Sequence, residues 1–256
     1  MENILLSIFF ILLISIPFLY RFIRVGKFGW FFNNTFNLVN DQKYIKAEKF
    51  RIFQVMLGAF LFFIHGSMHW GFFNIALFMF ITFFLSLFLE IIGSKTGYIF
   101  GGKYHYNKGN TPGYIIFDIP ILIPIAWFGI IYMAINFCCY LTNTQFPFEN
   151  TPNYYFITLT SISIMLLDIV LDPLAVDEKR WEWESLGIYY GVPILNFIGW
   201  LIVPTLTIII FNFFSYSQIL RENSYSVLFK YFPAILFVFL PMIASRPCFE
   251  RGLRIP

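Results

Sequence analysis

Seven stretches of this chain, 4–20, 52–66, 70–92, 114–140, 154–171, 194–214 and 231–245, are apolar and nearly free of charge. A membrane-spanning helix needs about 20 such residues. Inside hydrocarbon every backbone N–H and C=O must find a partner within the protein, which only helices and closed barrels provide. The pattern therefore predicts an all-α, polytopic integral membrane helical bundle of about seven transmembrane helices, with 1–256 as a single domain. Composition agrees, with 12% charged residues against about 25% in soluble domains. The run 52–92 is long enough for two spans, and the small, polar "HGSMHWG" inside it predicts the turn. The last span is short and carries Pro233 and Pro241. The N-terminal run lacks both a basic start and a small-residue cleavage pattern, so it reads as a first span rather than a removed signal peptide. Cys138, Cys139 and Cys248 offer neither a disulfide framework nor metal-ligand spacing and are expected in the core.

Charge gives the orientation. Fifteen of the 17 Lys and Arg residues fall on one side of this topology: seven in the first loop (Arg21, Arg24, Lys27, Lys43, Lys46, Lys49, Arg51), then Lys95, Lys103, Lys108, Lys179, Arg180, Arg246, Arg251 and Arg254. Arg221 and Lys230 are on the other. Because cytoplasmic loops hold the basic excess, the N-terminus is expected outside and the C-terminus in the cytoplasm. The asymmetry accounts for the net charge of +3. It implies a basic first loop against anionic headgroups, and no nucleic-acid partner.

Residues 119–127, "IPILIPIAW", echo residues 192–200, "VPILNFIGW". Each opens a helix, and each follows a helix that ends in acid. The echo predicts a duplicated helical hairpin, 70–140 and 154–214, whose copies run the same way and bring their acidic ends to one face. Pro120 and Pro193 are expected at helix starts, and Pro124 and Pro204 further in, as kinks.

Charge within a span is costly, so acids there are candidate site residues. Asp168 lies deepest, and Asp172 follows one turn later on the same face. Desolvation and mutual repulsion oppose ionisation of both, which leaves one able to act as a general acid; capping, or pairing with Lys179 or Arg180, is the structural alternative. Glu90 ends its own span, where the negative end of the helix dipole also disfavours a carboxylate. Asp118 is expected to cap the helix after it. Trp181, Trp183, Tyr189 and Tyr190 are either interfacial anchors or the wall of a pocket that stabilises positive charge. His65 and His69, four apart, could share a metal, but no third ligand is near and a packing role is favoured. His105, between Tyr104 and Tyr106, is better placed for function.

"EIIGSKTGYIFGGKYHYN" at 90–107, "IPILIPIAW" and "DPLAVDEKRWEWESLGIYYGVPILNFIGW" together resemble the prokaryotic carotenoid biosynthesis protein family of membrane-bound carotenoid 1,2-hydratases, over roughly residues 52–214. The resemblance implies a multi-pass protein of a prokaryotic cell membrane that adds water across the terminal C1=C2 double bond of an acyclic carotenoid, without a redox cofactor or metal. Within it, Asp168 or Glu90 is the expected proton donor, and Asp172 and Asn196 position water. Tyr104, His105, Tyr106, Trp181, Trp183, Tyr189, Tyr190 and Trp200 are expected around the substrate, with 90–107 and 181–190 as two halves of a lid. Association with other carotenoid biosynthesis enzymes is a further expectation. Two other classes stay open: a prenyltransferase using Asp168, Asp172 and Asp177 on a metal-bound diphosphate, and a non-catalytic isoprenoid transporter.

Overall fold

The computed structural model describes residues 1–25, 42–111, 113–148, 152–215, 225–250 and 252–253. Among them the chain runs α1 (Glu2–Val25), α2 (Gln42–His69), α3 (Phe72–Thr96), β1 (Tyr104–Tyr106), β2 (Ile115–Ile116), β3 (Ile119–Pro120) and α4 (Leu122–Thr142). It continues through α5 (Tyr154–Asp177), β4 (Trp181–Trp183), α6 (Ile194–Phe214), α7 (Val227–Lys230) and α8 (Phe232–Glu250). The fold is an all-α polytopic membrane bundle. Among the described residues five helices, α2 to α6, are long and apolar enough to cross a bilayer, while Glu2–Pro17 and Phe232–Ser245 are shorter apolar helices.

The seven expected stretches are largely helical, with altered ends, and five of them have the length and apolarity of a span. α2 begins at Gln42, well inside the stretch read as basic loop. "HGSMH" stays helical, and the chain reverses only at Trp70–Gly71, where Gly71 supplies a φ of 81°. α3 runs past Glu90 to Thr96 and stops at Gly97, whose N–H bonds the Gly93 carbonyl in a left-handed cap. Asn153 caps α5, its side chain accepting from the Phe156 N–H at 3.0 Å. Lys27, Arg221, Arg251 and Arg254, part of the charge count, lie outside the described residues.

The larger correction concerns 114–121, which is no helix. Ile116 pairs with Ile119 across a two-residue turn, Phe117–Asp118, with φ of 51° and 72°. Two successive positive φ angles make the tight turn that matches strand twist. Asp118 is thus a turn residue and not a helix cap, and Pro120 belongs to β3. Pro124 falls in the first turn of α4, where its missing N–H leaves no gap in the helix. The same device recurs 73 residues on. Tyr189 pairs with Val192 across Tyr190–Gly191, with φ of 51° and 87°, just before Pro193 and α6.

α3 packs on α4 and α6, and α5 on α6 and α4; α2 and α8 flank α4, and α1 lies on α2 and α8. The core is unusually aromatic, with Phe78, Phe128, Tyr132 and Phe211 fully buried. Phe80, Phe84 and Phe88, one turn apart on α3, are exposed as an outward apolar stripe suited to lipid. Cys138 and Cys248 are buried, as expected, and Cys139 is half-buried.

Candidate active site

α3 and α5 carry their acids to the same end of the bundle. Glu90 is 5% exposed and sits almost two turns before the end of α3, so the helix-end argument made for it does not apply. Three neutral donors surround it. Tyr104 and Tyr106 donate their hydroxyls to Glu90 Oε2, the latter at 2.8 Å, and Trp127 Nε1 donates to Oε1 at 3.0 Å. Burial, and then the Glu90 carboxyl, push both phenols well above the usual tyrosine range, so they remain donors.

Asp168 and Asp172, 0% and 2% exposed, share one partner from α6. Asn196 Nδ2 donates to Asp168 Oδ2 at 2.8 Å and to Asp172 Oδ2 at 2.5 Å. Both amide hydrogens are thereby used. Asp168 Oδ1 is buried with no hydrogen-bond partner. Glu90 lies within electrostatic reach of both aspartates, so the three acids share one end of the bundle. The expected alternative, pairing with Lys179 or Arg180, does not occur: Arg180 bonds Glu178 instead.

Pro173, one residue after Asp172, cannot bond the Ile169 carbonyl four residues back. Tyr189 fills that gap, its hydroxyl donating to Ile169 O at 3.2 Å. Its phenol is raised by burial.

The loops after α3 and α5 pair over this end. β1 runs antiparallel to β4 in the register Tyr104↔Trp183, His105↔Glu182, Tyr106↔Trp181. Side chains alternate faces along a strand, so Tyr104 and Tyr106 point to the acids while His105 points away and is exposed. Ring centroids lie 5.6 Å apart for Tyr104–Trp183 and 5.7 Å apart for Tyr106–Trp181. Phe100 anchors the loop. Its ring lies against Gly93 of α3 and Gly199 of α6, where an added Cβ would land on it, and its carbonyl accepts from Trp183 Nε1 at 3.0 Å.

Most of the expected site residues meet: Glu90 with Tyr104 and Tyr106, the aspartates with Asn196, and Trp181 and Trp183 on the two tyrosines. Trp200 lies against Trp127, with ring centroids 4.5 Å apart and planes tilted by 44°. His105 does not join them, and Tyr190 is an exposed turn residue. Sequence reasoning missed Trp127, although the echo that pairs it with Trp200 was the available signal. It also missed Phe100, and Glu178, which is fully buried against Arg180 and, at 3.9 Å, Arg51. His65 and His69 sit at the far end. His65 bonds the Tyr132 hydroxyl at 2.6 Å and the Phe229 carbonyl at 3.0 Å, a packing role. Among the described residues no three His, Cys, Asp or Glu side chains form a ligand set for a metal.

A bisanhydrobacterioruberin hydratase from Haloarcula japonica is 28% identical to this chain over 125 residues, covering 49% of this chain and 40% of that relative. The match thus spans less than half of the relative's length. No solved structure matches the chain. The family described as carotenoid biosynthesis protein matches over residues 50–249, which takes in α8 as well as the stretch carrying the sequence resemblance. By that match, which covers most of its length, the chain belongs to the carotenoid biosynthesis protein family.

Proposed function

We propose that this protein hydrates the terminal C1=C2 double bond of an acyclic carotenoid by acid catalysis. One observation carries the reading: three carboxyl groups lie buried at one end of an aromatic, apolar bundle beneath a Tyr–Trp strand pair. The chemistry needs those parts. A carboxylic acid gives its proton to C2, and the alkene's electron pair forms the new C–H bond, leaving a tertiary cation at C1. Water then attacks C1 and returns a proton to the carboxylate, so the net change is one added water. A desolvated site strengthens the interaction of that cation with nearby carboxylate and ring faces. Asn196, whose amide hydrogens hold the aspartates, offers its carbonyl oxygen to the water. The rod-shaped substrate, about as long as a bilayer is thick, lies among the helices, with 90–107 and 181–190 as a lid over its end.

The orientation follows the basic excess, with the N-terminus outside and the C-terminus in the cytoplasm of a prokaryotic membrane. The hairpin of 70–140 is read as duplicated in 154–214. Supporting this are the two like turns 73 residues apart, the reciprocal packing of the four helices and the antiparallel pairing of one loop strand from each half. The prenyltransferase reading fares worse, because Asp177 is exposed while Asp168 and Asp172 are buried on Asn196.

The test is expression in a lycopene-producing bacterium with mass spectrometry of the pigments. A pigment heavier by one water supports hydration. Unchanged pigment from well-inserted protein removes lycopene-type ends as substrate, and carotenoid movement without chemical change would point to transport.

A further inference from the structure

The three acids are not equivalent, and hydrogen-bond counting separates them. Glu90 is an acceptor at every contact. The Trp127 N–H can only donate, and the two tyrosine hydroxyls converge on one oxygen. A protonated Glu90 would need an acceptor for its own hydrogen and would waste a donor already aimed at it. Three donors on two oxygens are complementary to a carboxylate, and charge-assisted bonds of this kind are the stronger sort.

The Asp168–Asp172 pair has the opposite balance. Its four oxygens receive one amide, whose two hydrogens go one to each residue, and Asp168 Oδ1 is buried with nothing to accept from. Among the described residues no Lys or Arg forms an ion pair with either aspartate. Two charges sharing one amide in a desolvated site would repel without compensation. A single proton held by the pair removes that conflict.

We propose that Glu90 is a standing anion facing the developing cation, while the Asp168–Asp172 pair holds one proton and is its donor. The delivery step rests on the hydratase reading; the resting place of the proton does not. In this arrangement Trp127 is a positioning residue, orienting Glu90 while its ring meets Trp200. Asn196 fixes the pair against α6. The proton leaves the pair for C2 and is replaced from the water that adds to C1, so the site is unchanged after each turnover.

The experiment is infrared spectroscopy of the purified full chain at neutral pH, reading the C=O stretch of protonated carboxylic acid. The expected result is one such band, shifted in heavy water, absent in Asp168→Asn and Asp172→Asn and retained in Glu90→Gln. If the aspartate variants fail to fold, wild-type protein with isotope-labelled aspartate carboxyls decides, since the band must move with that label. A band that stays in both aspartate variants, disappears in Glu90→Gln, ignores the aspartate label or is missing from the wild type overturns the assignment. None of these readouts depends on turnover, so a failed pigment assay and a failed assignment are told apart.

Discussion

Replacing Asn196 by Ala tests the centre of the site most sharply. The side chain is 2% exposed and bridges α6 to two carboxyl groups on α5, at 2.8 and 2.5 Å. Side-chain hydrogen bonds in membrane bundles average about 0.6 kcal/mol, whereas bonds to charged groups are worth about 1.5–3 kcal/mol. If the pair carries one proton, one bond is of each kind, and Asn196→Ala should cost about 2–3.5 kcal/mol. For a chain of this length about 2–4 °C accompanies each kcal/mol. Thermal unfolding in mild detergent should therefore fall by about 4–14 °C. The loss should also be coupled: in a cycle with Asp172→Ala, removing both partners should cost at least about 1 kcal/mol less than the sum of the single losses. A well-inserted Asn196→Ala protein that unfolds within about 2 °C of wild type, or costs that simply add, would refute the view that Asn196 holds the pair.

Gly199→Ala should press a methyl group onto Phe100, cost about 1–3 kcal/mol by overpacking and reduce pigment conversion by displacing the loop that carries β1. Unchanged melting and conversion would contradict that packing argument. Tyr189→Phe should cost about 1 kcal/mol by leaving the Ile169 carbonyl bare; in a Pro173→Ala background, where a backbone N–H can serve that carbonyl, the same change should cost little, and an equal cost in both backgrounds would refute it. Burial, and then the neighbouring Glu90 carboxyl, hold the Tyr104 and Tyr106 phenols above the usual tyrosine value of about 10. Their contribution is therefore intact below that value and lost as pH rises past it, because the unfolded phenols ionise first. Detergent unfolding should show this alkaline loss, and Tyr104→Phe should lessen it.

Much of the architecture was legible because bilayer length and backbone satisfaction leave few options for an apolar run. What failed were the places where composition misleads. The Lys-rich start of α2 looked like a loop, although helices that extend beyond the hydrocarbon carry such residues. The stretch 114–121 is as apolar as a helix, yet Phe117–Asp118 makes a two-residue turn that neither hydropathy nor turn propensity marks. The acids could be found from the cost of burying charge, but their partners could not. Trp127 meets Glu90 from 37 residues away and Asn196 meets Asp168 from 28. Contacts so distant leave no local signal. The echo of 119–127 in 192–200 was the one feature that pointed across that distance, and it brought together Trp127 and Trp200.

The most direct measurement is to give lycopene to the purified protein in lipid nanodiscs, in oxygen-labelled water, and weigh the products. Addition of one water carrying the label, at the mass of a tertiary alcohol and with no change in oxidation level, is the predicted result. A product whose oxygen is unlabelled, or no product from acyclic carotenoids of any length while the protein stays folded, would contradict it.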